Sequence, residues 1–296
     1  MKRNPFWAKQ LWKFKGAYLK CSIYFVEVPV SAFPNATPMI TAPGCGRATG
    51  LAPNPFIVGG SEVSPRYKWP WIGSLRRYGN HICGGSLIRS PAGRYFFVSA
   101  AHCTYGTNAN AFSVKFGSHF RADVSSESSA RTLSVSRVIN HPNYRPSNLE
   151  NDISILVLSG TVTESSEISP ICYASRDHYA GEVCTVIGWG TTTESGSPAP
   201  SLMEASKPIL SDAQCASDYG SNNYYSNSML CSGFAQGGID ACQGDSGGPF
   251  FCQRNGVWEL VGLVSWGRGC ARPGYPGVYA DNWDLRSWVS TTINSN

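Results

Sequence analysis

None of the eleven cysteines forms a Cys-X-X-Cys pair, so the close ligand spacing of a structural zinc site is missing. Charged residues make up only 15% of the chain, low for a helical or disordered protein. No long apolar run is present. The most apolar stretch, Cys21 to Val26, follows Lys20 and is stopped by Glu27, too short to cross a bilayer. There is no internal repeat and no low-complexity tract. The formal charge of +5 is unevenly placed. Residues 1–56 carry seven basic groups and one acid, whereas residues 57–296 carry 17 basic and 18 acidic groups, a net of −1. A near-neutral body offers no basic surface, which argues against nucleic acid as a partner.

What is present points to an exported, turn-rich fold. Ten cysteines are spread between Cys45 and Cys270, a pattern that favours a disulfide framework and an oxidising compartment. Cys21 is the odd one. The N-terminal segment admits two readings: a weak secretory signal ending near Val30-Ser31-Ala32, or a start placed upstream of the true one. Asn35-Ala-Thr is a glycosylation sequon only if this segment is exported and kept. Residues 29–56 are rich in Pro, Gly, Ala and Thr and read as extended. The expected division is therefore an irregular targeting or pro-segment over 1–56 and a folded domain over 57–296.

Beyond Ile57, short β-type runs alternate with turn residues. Six fall in the first half: Trp69–Leu75, His81–Ile88, Tyr95–Ala100, Ser113–Phe116, Leu133–Ile139 and Ile153–Leu158. Six more fall in the second: Glu182–Trp189, Met203–Leu210, Met229–Cys231, Pro249–Cys252, Trp258–Trp266 and Gly277–Ala280. Twelve short strands in two groups predict an all-β sandwich or barrel. Leu285, Trp288, Val289 and Ile293 share a helical face, so one helix is expected near the end, capped by Asp281 or Asn282.

The densest chemical signal is Gly244-Asp245-Ser246-Gly247-Gly248-Pro249, a six-residue word expected by chance roughly once in 10^7 windows. Small neighbours let a substrate carbonyl approach Ser246, and permissive backbone lets the N–H groups of Gly244 and Ser246 converge on one oxyanion. A glycine-rich turn is the plain alternative. A serine hydroxyl needs a base. Of five histidines, His102 in Ser99-Ala100-Ala101-His102-Cys103 has small residues before it and a cysteine to anchor it. His119, His141 and His178 lie in polar, turn-like contexts, and His81 beside Ile82-Cys83 reads as packed. Asp152 opens the apolar run from Ile153 to Leu158, where a carboxylate can orient an imidazole away from water. Taken alone, it reads rather as a strand-capping acid.

Over residues 57–296 the chain resembles the trypsin/chymotrypsin family of serine proteases. The matching words are Ile57-Val58-Gly59-Gly60, Cys83-Gly84-Gly85-Ser86-Leu87-Ile88, Ala100-Ala101-His102-Cys103, Asn151-Asp152-Ile153, Gly188-Trp189-Gly190, Gly244 to Pro249 and Ser265-Trp266-Gly267. The resemblance implies two six-stranded antiparallel β-barrels with a C-terminal helix and a cleft between them. It implies a catalytic triad of His102, Asp152 and Ser246, an oxyanion hole from Gly244 and Ser246, and substrate contacts from Ser265, Trp266 and Gly267. Asp240 stands where trypsin-like members keep an acid at the pocket floor, with Gly267 and Gly277 as small wall residues. That implies polypeptide substrates cut after Arg or Lys, Arg over Lys given Ala241. It also implies disulfides Cys83–Cys103, Cys184–Cys252, Cys215–Cys231, Cys242–Cys270 and Cys45–Cys172, the last holding residues 1–56 to the body.

By the same resemblance, a cut between Phe56 and Ile57 frees an amine that buries against Asp245, which His81 holds beforehand. Family members usually carry Arg or Lys before this bond. Phe56 there predicts that the zymogen does not process itself and needs a separate activating protease. Calcium-binding relatives use acids in the loop after Gly117; Ser118, His119, Phe120 and Ser128 replace them here, leaving Asp123 and Glu127, so no metal site is expected. Pro276 replaces the tyrosine of sodium-responsive members. No cofactor is expected. A secreted monomer that meets protein protease inhibitors completes this picture. The rival reading is an inert homologue that serves as a binding protein, although such relatives usually lack a triad member.

Overall fold

In the computed structural model, the structure describes residues 40, 42–49, 60–220 and 222–296. The expectations for Cys21, the Asn35 sequon, Phe56 and Ile57 lie outside them. Six strands form the first barrel: β2 (Ile72–Arg77), β3 (Asn80–Arg89), β4 (Tyr95–Ser99), β5 (Phe112–Phe116), β6 (Arg131–Asn140) and β7 (Ser154–Leu158). They pair in the order β2-β3-β4-β7-β6-β5 and close on themselves. Closure leaves no free edge. Inside, Phe97 fills space that two glycines leave open: a Cβ on Gly73 or Gly85 would fall within 2.5 or 2.3 Å of its ring. Phe112, Val114, Phe116 and Leu156 complete that core.

The second sheet holds β1 (Ser61–Glu62), β8 (Cys172–Tyr173), β9 (Val183–Gly188), β10 (Met203–Pro208), β11 (Met229–Ser232), β12 (Pro249–Arg254), β13 (Val257–Trp266) and β14 (Gly277–Asp281). Its path runs β1-β10-β9-β12-β13-β14-β11, with β8 parallel to β13. Just beyond β10, an Ile209–Ser232 bridge and the Leu210 N–H to Cys231 carbonyl bond, 2.9 Å, tie the end of β10 to the last strand of the path, β11. All twelve expected strands are present. The two-residue β1 and β8 are additions too short to leave a pattern in sequence.

Between the sheets lies an aromatic cluster. Trp69 packs edge-on against Phe251 and Trp258, with ring centres 4.8 and 4.9 Å apart. Beside it, Lys68 and Glu204 form an ion pair with side chains only 4% and 5% exposed, and the Trp69 indole N–H donates to Glu204 Oε2 at 2.7 Å. The five disulfides join the pairs that the resemblance implied.

Two helices complete the described fold. Helix α1 (Asp212–Tyr219) starts where the Ser211 hydroxyl accepts the Gln214 N–H, and stops at Gly220, whose φ is +80°. Helix α2 (Arg286–Ser295) buries Val289 and Ile293 and meets β7 of the first barrel. Its cap differs from expectation. Asp281 accepts the Trp283 N–H at 2.8 Å, capping the turn ahead of the helix, and Leu285 occupies the N-cap with no side-chain bond.

Removing one member of the Lys68–Glu204 pair strands a charge in the interior. Glu204→Gln is expected to cost about 3–5 kcal/mol in urea unfolding, whereas the double change Lys68→Met with Glu204→Leu costs far less.

Candidate active site

Each functional side chain sits at the end of a strand. A 3-10 turn, Ala101–Cys103, follows β4 and carries His102, tied down by the Cys83–Cys103 disulfide. Asp152 lies two residues before β7, and Ser265 is near the end of β13. The Asp152 side chain is fully buried and receives three hydrogen bonds. Its Oδ1 accepts the His102 backbone N–H at 2.8 Å, and its Oδ2 accepts the His102 imidazole at 2.7 Å and the Ser265 hydroxyl at 2.6 Å. Burial would lower the His102 pKa, but the hydrogen bond and charge of Asp152 outweigh it and raise the value above the ordinary one.

Ser246 lies on the turn before β12. Its carbonyl accepts the Gly84 N–H at 2.8 Å. The turn abuts the His102 segment so tightly that a Cβ on Gly247 would stand 2.9 Å from the Ala100 nitrogen. Among the described residues the Ser246 hydroxyl makes no hydrogen bond to His102. Such bonds are often long without substrate and tighten when it binds. The N–H groups of Asp245 and Gly247 are engaged by the Cys242 and Val264 carbonyls, at 3.0 and 2.7 Å. Those of Gly244 and Ser246 have no backbone acceptor among the described residues.

A cavity of about 150 Å³ opens beside Ser246. Asp240, Ser265, Trp266, Gly267 and Gly277 all line it, so the expected substrate-binding residues converge. Trp266 also borders an adjoining hollow of about 230 Å³ with Leu149 and Arg268. One feature of this pocket was not anticipated. Asp240 is paired: the Lys207 ammonium donates to its Oδ1. The expectation of cleavage after Arg or Lys took that carboxylate as unpaired.

The sequence model of the Trypsin family matches residues 57–289. The chain belongs to the trypsin family. It is 39% identical over 240 residues to Trypsin-1 of Astacus astacus, covering 79% of this chain and 98% of that protein. It is 40% identical over 252 residues to Trypsin of Xenopus laevis, covering 85% and 96%. Against Trypsin-2 of Salmo salar, identity is 42% over 237 residues, covering 80% and 95%. As a member of this family it is a serine endopeptidase acting on polypeptides. No helix among the described residues is long and apolar enough to cross a membrane.

One detail differs from those implied by the trypsin resemblance. His81 bonds the Gly244 carbonyl at 3.2 Å and the Ser74 hydroxyl at 2.8 Å, not Asp245. The Asp245 oxygens are taken instead by the N–H groups of Gly190 and Cys242, at 2.7 and 2.9 Å. His119, one of the histidines read as structural or solvated, is 1% exposed and bonds Glu62 at 2.7 Å. In the loop where calcium-binding trypsins keep acids, Asp123 and Glu127 pair with the Lys115 ammonium at 2.9 and 3.4 Å.

Burial pushes the Asp245 carboxyl from 3.8 up to about 6; the two N–H donors pull it down and the Asp240 charge adds to the rise. The folded chain therefore holds this proton more tightly than the unfolded one. The stability that protonation supplies is full below about pH 4 and is lost as pH rises through about 6, at most about 3 kcal/mol. In urea titrations of the uncut chain across this range, Asp245→Asn should remove that part of the decline.

Proposed function

We propose that this endopeptidase cuts through an acyl-enzyme formed on Ser246, with His102 as base and Asp152 as its orienting carboxylate. The observation that carries this reading is the fully buried Asp152 holding the imidazole of His102 beside the Ser246 cavity. Ser246 Oγ attacks the scissile carbonyl carbon and its proton passes to His102 Nε2. The carbonyl oxygen, now anionic, accepts the N–H groups of Gly244 and Ser246. Collapse breaks the C–N bond, the amine leaves with the proton from His102, and water repeats the sequence on the ester.

Activation is proposed to follow a cut between Phe56 and Ile57. A cavity of about 90 Å³ lined by Gly60, Gly188, Gly190, Cys242 and Asp245 supports it. A Cβ on Gly188 or Gly190 would fall within 2.0 or 2.5 Å of the Asp245 carboxylate, so only glycine leaves its approach open. A freed Ile57 amine entering there would meet an uncompensated buried acid and turn its cost into an ion pair. Secretion is supported by the five disulfides. An activating protease and protein inhibitors are the proposed partners, alongside peptide substrates. For the cleaved residue, Asp240 at the pocket floor favours Arg or Lys, and the Lys207 ammonium upon it opposes them.

Replacing Ser246 with Ala should abolish peptide hydrolysis and labelling by a fluorophosphonate. An inert binding homologue would show neither in the parent protein. Asp152→Asn should lower kcat by about 10^4-fold, the loss this triad shows in its relatives. Activity should rise with pH as His102 loses its proton, and Asp152→Asn should move that midpoint downward, because the raising influence is gone. A pH–rate profile of both proteins measures the shift.

A further inference from the structure

Strand β10 carries two buried charged residues, Glu204 and Lys207, on opposite faces. Ala205 and Ile209 enter the apolar core of the second sheet, and Lys207 takes the slot between them on the same face. Its side chain is 0% exposed. An ammonium there has lost its water and must find an anion. Its salt-bridge partner is Asp240, whose side chain is 4% exposed. The same Oδ1 also accepts the Ala241 N–H at 2.8 Å. The ammonium lies 5.1 Å from the centre of the Tyr279 ring, and Tyr279 lines the cavity beside Ser246.

We propose that Lys207 determines specificity: its ammonium neutralises Asp240, so the pocket selects long uncharged side chains, aromatic or aliphatic, over Arg and Lys. The claim rests on the cavity beside Ser246 being the pocket for the cleaved residue. A substrate guanidinium entering it would bring a second cation to a carboxylate that already holds one. The repulsion and lost hydration would go uncompensated in a space of about 150 Å³. Lys207 cannot withdraw to make room. Its backbone is paired in register with Cys184 on β9, and leaving Asp240 would strand the ammonium in the core. An uncharged side chain meets no such conflict. Gly267 and Gly277 leave the walls open, and Ala241, Val264 and Val278 supply apolar surface.

The chain carries a matching residue at its own activation bond, where Phe56 stands before Ile57. The expectation that the zymogen cannot process itself assumed a pocket for basic residues, and a neutral floor removes that ground.

The test uses enzyme released at Ile57 through an enteropeptidase site installed ahead of it, then repurified. Peptides differing only in the cleaved residue (Arg, Lys, Phe, Tyr or Leu) are compared by kcat/KM. The parent should favour Phe, Tyr or Leu over Arg by about tenfold or more. Lys207→Ala, leaving Asp240 unpaired, should raise the Arg-to-Phe ratio about a hundredfold. Lys207→Met, which keeps bulk and loses charge, gives the same reading if the alanine variant fails to fold. Adding Asp240→Ala to either should return the ratio to the parental side. A parent that prefers Arg, or a ratio that both Lys207 variants leave unchanged, overturns the proposal. Fluorophosphonate labelling of Ser246 keeps the two claims apart. Labelling with an Arg preference defeats only the role of Lys207, whereas absent labelling defeats the catalytic reading beneath it.

Discussion

A single buried carboxylate organises the cleft. Asp152 stands at the mouth of β7 in the first barrel, and its three donors come from both sides of the seam: His102 twice and Ser265 from β13 of the second sheet. A carboxylate without water is tolerable only when such donors satisfy it. Each donor is placed by a strand end or a disulfide, so the orientation of the His102 imidazole follows from how the two sheets meet. Loosening that seam would cost orientation at His102 before it cost the fold.

The second sheet repeats the same physical problem with other acids. Glu204 is matched by Lys68 and Trp69, and Asp240 by Lys207. Asp245 has backbone N–H groups, and burial lifts its pKa. Of these three, Asp245 keeps the open demand for a cation. That difference separates acids already matched by a buried cation from one held by backbone N–H groups alone. It also separates this chain's pocket from one with a bare carboxylate at its floor.

Much of this was legible beforehand, for physical reasons. Strand runs such as Ile153–Leu158 announce themselves because both faces are buried, and the Gly244–Pro249 word is too improbable to be a chance turn. Disulfide partners came from resemblance, since spacing alone leaves many connectivities open. The misses share a cause. Ser265 bonding Asp152, His119 buried on Glu62, and Lys207 on Asp240 are all contacts between residues far apart in the chain. A signal existed for one of them: within Met203–Leu210, Ala205 and Ile209 mark the apolar face, and a lysine between them demands an internal anion. Helix α1 left a trace too, with Ser211 three residues before Gln214 in the pattern of a capping box. Eight residues gave too little apolar periodicity to raise it above a loop.

Helix α2 packs on the outside of β7, a strand of the first barrel, although every strand of the second sheet except β1 lies between them in the chain. A ribosome that has finished the first six-stranded unit has therefore made a barrel with an oily flank and nothing to cover it. Until α2 is made and docks, Ile155 and Val157 on β7 lack the apolar partners that Val289 and Ile293 provide.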